Sequence, residues 1–217
     1  MHNPNFTREV GDTDVTAGRG AGQLQWYQRA SEIYSGKTVL DVGCGLGGGL
    51  KLLRRTCNAV GLDRDERLVE VVPGIIIGDI ESVPDKSYDI VVAIDVIEHV
   101  EDDDAFCAQL KRVSREGFFV TTPNAVASMV AWGRIWEFHP REYTPSELHN
   151  LLKRYGEVRL YKGKSSGEKV WEIQHPGSYF RLNDLALNSV TRLPARALGK
   201  LLPQSLRIQS HLAALVC

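Results

Sequence analysis

Residues 38–49 read Thr-Val-Leu-Asp-Val-Gly-Cys-Gly-Leu-Gly-Gly-Gly, and no other stretch limits the possible folds as sharply. The β-branched and apolar opening predicts a buried strand that runs into a tight loop. Leu50, Leu52 and Leu53, interleaved with Lys51, Arg54 and Arg55, predict a helix directly after it. Strand, glycine loop and helix together grip a nucleotide-like ligand: glycine lets the backbone approach closely, and the helix N-terminus offers unpaired N–H groups. Gly43, Gly45 and Gly48 also satisfy G-x-G-x-x-G, a pattern that on its own fits a βα turn without any ligand. Context adds weight. The second apolar run, Ala59–Asp63, ends in an acid 20 residues after Gly43, where a carboxylate is placed to accept both hydroxyls of a ribose.

The same alternation continues. A short helix is expected around Arg67–Val72, a strand at Gly74–Ile77, and after the turn Pro84–Ser87 a fourth strand at Tyr88–Ile94. That strand is almost continuously apolar, as a strand covered by helices on both faces must be. Asp103 or Asp104 is expected to cap a helix ending near Ser114, with the acidic run Glu101–Asp104 as a solvated cap. Gly117–Thr122 is the fifth strand and Glu157–Tyr161 the sixth, and His211–Cys217 is apolar enough to be a last one. Ahead of all this, Gln23–Tyr34 has Leu24, Tyr27, Ala30 and Ile33 at helical spacing, while residues 1–20 are polar and glycine-rich. The fold class is therefore α/β, a doubly wound, mostly parallel sheet. Ligands in such sheets sit outside the carboxyl ends of the strands, and Gly43, Asp63, Asp79, Asp95 and Asn124 all fall at expected strand ends.

The 217 residues fit a single domain: a cap helix in 1–37, a ligand-binding core in 38–161, an insertion in 162–210 and a last strand in 211–217. A net charge of −1 provides no global field to recruit nucleic acid. Cys44, Cys57, Cys107 and Cys217 form no C-x-x-C pair, which argues against a disulfide framework or a zinc knuckle and for a reducing cytoplasm. No signal peptide opens the chain and no apolar run approaches the length of a membrane span.

Leu40-Asp41-Val42-Gly43-Cys44-Gly45-Leu46-Gly47 resembles the first motif of class I S-adenosylmethionine-dependent methyltransferases, acid-x-Gly-x-Gly-x-Gly. Gly78-Asp79-Ile80, the run Tyr88–Val100 and the segment Phe138–Leu148 resemble later motifs of the same family, in its ubiquinone-type small-molecule branch, so the likeness covers about residues 38–160. The resemblance implies a Rossmann-like, seven-stranded sheet with its last strand antiparallel beside the sixth, and S-adenosyl-L-methionine as cofactor. It carries over a cofactor-binding set of Asp41, Gly43, Cys44, Gly45, Asp63, Arg64, Asp79, Ile80 and Asp95. Asp63 would meet the ribose and Asp79 the adenine amine. Cys44 is explained by small size rather than reactivity. The leading helix would either help close the site or merely cover the sheet, and Arg19 is a weaker candidate for reaching the substrate.

About 45 residues separate the sixth strand from the last, where a short hairpin would suffice. This insertion and the segment Ala125–Tyr143 both emerge at the carboxyl edge of the sheet. They hold Trp132, Trp136, Phe138, Trp171, Tyr179 and Phe180, as pocket wall or as a private mini-core. Leu182, Leu185, Ala186, Val190 and Leu193 share a helical face, and Ala195–Leu202 reads as a further helix. The span 181–207 carries five basic residues and one acid, so it can rest on an anionic membrane at the inner face or pack on its own domain.

Methyl transfer from a sulfonium is an in-line displacement, so alignment and water exclusion supply most of the catalysis. A hydroxyl acceptor also needs a base. His99, after the fourth strand, is the first candidate, and His139, with Tyr143 behind it, is the second. His2, His149, His175 and His211 form no pair with metal-ligand spacing, and Asp95 with Glu98 is thin support for a magnesium site, so no metal is expected. The expected acceptor is a small molecule or a glycan such as a lipid-linked saccharide, methylated at oxygen, with a quinone or other aromatic as the alternative. A nicotinamide-dependent oxidoreductase fits the glycine pattern but not Asp41, and intact acids argue against a silent binding protein.

Overall fold

A computed structural model describes residues 21–164, 170–188 and 207–217. Arg19, Val190, Leu193, the helix expected at 195–202 and most of the basic span 181–207 lie outside the described residues.

Helix α1 (Ala21–Ile33) leads into strand β1 (Thr38–Val42), the glycine loop, and helix α2 (Gly48–Leu53). Strands β2 (Asn58–Asp63), β3 (Ile76–Ile77) and β4 (Tyr88–Ile94) follow, then helix α3 (Asp103–Val113) and strand β5 (Ser114–Pro123). Helices α4 (Ala125–Trp132) and α5 (Pro145–Leu152) precede β6 (Val158–Gly163), β7 (Val170–Glu172), helix α6 (Pro176–Asn188) and β8 (His211–Val216). Only two residues of the expected third strand pair with β2, and the helix expected before it is a 3-10 turn, Glu66–Glu70.

The sheet has eight strands in the order β3-β2-β1-β4-β5-β8-β6-β7, one more than expected. β1 to β5 are parallel, whereas β8 is antiparallel to both neighbours, β5 and β6, and β7 is antiparallel to β6 at the edge. The last strand is central because Leu212–Val216 is buried throughout and carries no charge, so both of its edges and both faces need cover. His211 pairs with Pro123 on one side and with Gly163 on the other, so the chain between β6 and β8 leaves and re-enters at the carboxyl edge, as expected.

Alternate residues of the strands feed two cores. Val91, Ala93, Phe118, Val120, Leu212 and Ala214 pack beneath α3 and α5. Ile90, Val92, Ile94, Phe119, Ala213 and Leu215 pack beneath α1 and α2. The six insertion aromatics divide. Tyr179 is fully buried in the first core with Phe180 packed against it, Trp171 is half-buried, and Trp132, Trp136 and Phe138 are exposed. Leu185 is exposed too, while Ala186 of the same expected face is buried on the side of α6 that carries Tyr179 and Asn183.

Capping also departs from expectation. Asp102, not Asp103 or Asp104, caps α3 by accepting the Ala105 N–H. The next two acids are tied down instead of merely solvated: Asp103 accepts bonds from Arg141 and the Tyr143 hydroxyl, and Asp104 from Tyr155 and Arg154. These ties fasten the chain after α4 to the start of α3.

Candidate active site

The loop after β1 has Gly43, Gly45 and Gly47 at φ 70°, 52° and 75°, all left-handed and costly for any other residue. A Cβ on Gly43 would also stand 2.7 Å from Val96 in the loop after β4. The loop is therefore a backbone cradle that side chains would fill. Cys44 is buried, and its sulfur lies where a Cβ on Gly61 would be, only 2.6 Å away, so it packs as a small residue against β2.

Asp63, last in β2, turns its buried carboxylate to this loop and accepts the Gly45 N–H at 2.9 Å and the Asp65 N–H at 3.1 Å. Asp41, on the face of β1 that meets α1, accepts the Tyr27 hydroxyl at 3.0 Å. Asp79 follows β3, and its exposed carboxylate is ion-paired with Arg64. Ile80 sends its side chain into the core, which leaves only its backbone at the crevice.

Asp95 follows β4 at φ 54°, an uncommon conformation outside glycine. Its backbone N–H and one carboxylate oxygen both bond Thr121 of β5, and His211 of β8 stands 3.5 Å from the other oxygen. Burial alone would raise its pKa, but bonds from His211, Thr121 and Gln23 of α1 outweigh that and hold it at about 2. Glu98 is buried beside it, and burial, followed by the Asp95 charge, pushes its carboxyl well above the usual range. Among the described residues, none hydrogen-bonds to Glu98 Oε2.

His99 is exposed in the loop after β4. Burial of part of the ring, and then the charge on His139, lower its pKa, so it is a neutral base at pH 7. The His139 ring stands edge-on to it, centroids 4.8 Å apart. His139 is buried, with Nδ1 2.8 Å from Glu142 Oε1. The polar atoms of Glu98, His99 and His139 lie within 4.8 Å of one another, close enough to surround a small cation.

Of the candidates, Asp41, Gly43, Asp63, Asp95 and His99 thus gather at the carboxyl ends of adjacent strands. Tyr143 does not act there: it is fully buried and its hydroxyl donates to Asp103 at 2.8 Å. Asn124 is the N-cap of α4 and binds the Gln209 carbonyl, a structural duty. Thr121, Glu142 and His211 stand here without having been expected, whereas the sequence offers Glu98 only as a thin partner of Asp95. Only Glu98, next to His99, had any sequence signal.

The methyltransferase-domain family model matches residues 21–157. The chain belongs to this family. It is 37% identical over 169 residues to a probable S-adenosylmethionine-dependent methyltransferase of Mycolicibacterium smegmatis, covering 70% of this chain and 65% of that one. It is 30% identical over 142 residues to a ubiquinone biosynthesis O-methyltransferase of Mesorhizobium japonicum, covering 58% and 56%. The chain thus spans about half to two thirds of the length of these curated relatives. Among solved structures, an Archaeoglobus fulgidus SAM-dependent methyltransferase superposes with a TM-score of 0.61 at 18% identity, covering 99% of both chains. This is the class I, Rossmann-like methyltransferase fold, and the names of these relatives point to S-adenosylmethionine as the group that they use. The crevice suits that group: Gly43 and Gly47 leave no room for a side chain, and the loop lies beside the buried carboxylate of Asp63.

Proposed function

We propose that this methyltransferase transfers the methyl of S-adenosylmethionine to a hydroxyl of a small-molecule or glycan acceptor, with His99 as base. The observation that carries the reading is the place of His99, exposed in the loop after β4, edge-on to the His139 ring at 4.8 Å, with its pKa lowered by partial burial. A neutral imidazole has one ring nitrogen able to take the hydroxyl proton. The name of the ubiquinone relative, an O-methyltransferase, supports oxygen as the acceptor atom.

The Gly43–Gly47 loop and Asp63 would hold the cofactor, whose sulfonium supplies an electrophilic methyl when bound. Asp63 would take the ribose hydroxyls with the oxygen lone pairs not used by Gly45 and Asp65. Asp79 would serve the adenine end once Arg64 swings aside. Asp95, ionised and locked by Thr121 and His211, fixes the loop that carries His99. Trp132, Trp136 and Phe138 offer exposed aromatic surface on the segment that ends at His139. A sugar face stacks on such a surface, which supports a lipid-linked saccharide. An aromatic ring does so too, and the edge-to-face Trp136–Phe138 pair favours a phenol or quinol as the second reading.

The test is His99→Ala, assayed with labelled cofactor against pooled saccharides, lipid-linked glycans and phenols. Turnover is expected to fall roughly 10²–10⁴-fold with cofactor affinity little changed. Parental turnover would remove His99 from the mechanism.

A further inference from the structure

We propose that Glu98, His99 and His139 form a capture site for a divalent transition ion of the zinc type, and that the bound ion switches the enzyme off by occupying His99. The block rests on the reading of His99 as base, whereas the site stands on geometry alone. One polar atom from each of the three residues lies within 4.8 Å of the other two. A tetrahedral ion about 2.0–2.2 Å from each ligand holds such atoms roughly 3.5 Å apart. Closing that difference falls to His99, which is exposed, while Glu98 and His139 are buried and stay in place. The two rings already stand edge-on with centroids 4.8 Å apart.

Glu98 is 1% exposed, and among the described residues none hydrogen-bonds to its Oε2. A buried carboxylate oxygen without a donor is costly, and a cation meets that need directly. His139 is held as histidine ligands are held. Its Nδ1 stands 2.8 Å from Glu142 Oε1, and the two side chains are 4% and 2% exposed. The same oxygen accepts the Trp136 N–H at 3.1 Å, which fixes the carboxylate in turn. A carboxylate behind one imidazole nitrogen orients the ring and leaves the lone pair on the other for a metal. Two imidazoles and one carboxylate suit zinc or iron(II), whereas magnesium and calcium prefer oxygen ligands. An ion bound through the His99 lone pair denies that lone pair to a hydroxyl proton.

Zinc chloride is the probe, titrated by calorimetry into the full chain at one pH, since ligand protons compete with the ion. The exposed Cys217 thiol is a rival ligand, so Cys217→Ser is the background throughout. One ion per chain is expected, in preference to magnesium. His99→Gln and His139→Gln should each lose it. Glu142→Asp draws the carboxylate back from His139 by one methylene and should weaken binding roughly 10–100-fold. With the pooled acceptors, zinc should inhibit turnover and EDTA should restore it, while S-adenosylhomocysteine binding stays within a few-fold. If the variants of buried residues do not melt cooperatively, His99→Gln carries the test, because its side chain is replaced in an exposed position. No zinc binding in the parent, or equal affinity in His99→Gln, overturns the site. Zinc bound there with turnover unchanged or raised overturns the block, and the base reading with it. The calorimetry needs no turnover, so the site is decided even where the base reading fails.

Discussion

Asp63 and Glu142 are both buried carboxylates that accept a backbone N–H, yet only the first was legible from sequence. Asp63 ends a strand that the apolar run marks, and strand ends in a doubly wound sheet are where ligands meet the chain. Glu142 acts through a turn closed by residues three and six positions before it, and no periodicity reports such a fold-back. Tyr143 shows the converse: an attractive side chain next to a histidine is spent on Asp103, 40 positions away. Glu98 gives a prediction at this scale. Its folded pKa is raised by burial and by Asp95, so the stability tied to its neutral form is present below the unfolded pKa and is lost as pH rises through the folded one. Glu98→Gln keeps the shape without the charge. Relative to the parent, it should melt higher toward alkaline pH and show a flatter melting temperature against pH from about 5 to 9, with about 2–4 °C for each kcal/mol relieved. Parallel pH curves for the two proteins would contradict that burial argument.

Among elements, the parallel half of the sheet was readable because each strand carries its own apolar run and its own loop. The antiparallel half was less so. β7 is only three residues long, too short for alternation to show, and the position of β8 between β5 and β6 depends on pairing that no local pattern encodes. The insertion is also less separable than a lid, because α6 places Tyr179 fully in the core, so excising all of 166–205 would open that core. The leading helix does more than cover the sheet: α1 gives Tyr27 to Asp41 in β1 and Gln23 to Asp95 after β4. It can do so because α2 carries glycine where the two helices cross. A Cβ on Gly49 would stand 2.2 Å from the Tyr27 ring. Gly49→Ala should therefore push α1 outward and break the Tyr27–Asp41 bond. Overpacking of this kind costs on the order of 1–3 kcal/mol, read by denaturant titration. Gly49→Ala combined with Tyr27→Leu should recover part of that loss, because a smaller partner no longer fills the space. Equal stability of Gly49→Ala and the parent would mean that the helices are not in this contact.

For the molecule as a whole, the crevice is assembled from β1, β2 and β4 with α1 laid across, so a ligand seated there touches parts of the chain that otherwise meet only through the sheet. Binding to the native state alone stabilises it by RT ln(1 + [L]/Kd), about 2.7 kcal/mol at a hundredfold excess over Kd. For a chain of this size that is a rise of roughly 5–11 °C in melting temperature. S-adenosylhomocysteine is expected to produce it, and NADH none, which separates the methyltransferase from a dehydrogenase with the same glycine pattern. Variants then sort by where they act. His99→Ala and Glu142→Asp should keep the full rise, because neither residue lies at the glycine loop. Asp63→Ala should lose most of it, for two reasons: the ribose hydroxyls lose a charged acceptor, worth on the order of 1.5–3 kcal/mol, and the Gly45 N–H loses the carboxylate that shapes the loop. Asp63→Asn separates the two, since it can retain the bond to Gly45 while giving up the charge. Its rise should fall between those of the parent and Asp63→Ala. If Asp63→Asn and Asp63→Ala shift as far as the parent with S-adenosylhomocysteine, Asp63 serves the loop alone and the ribose is held elsewhere.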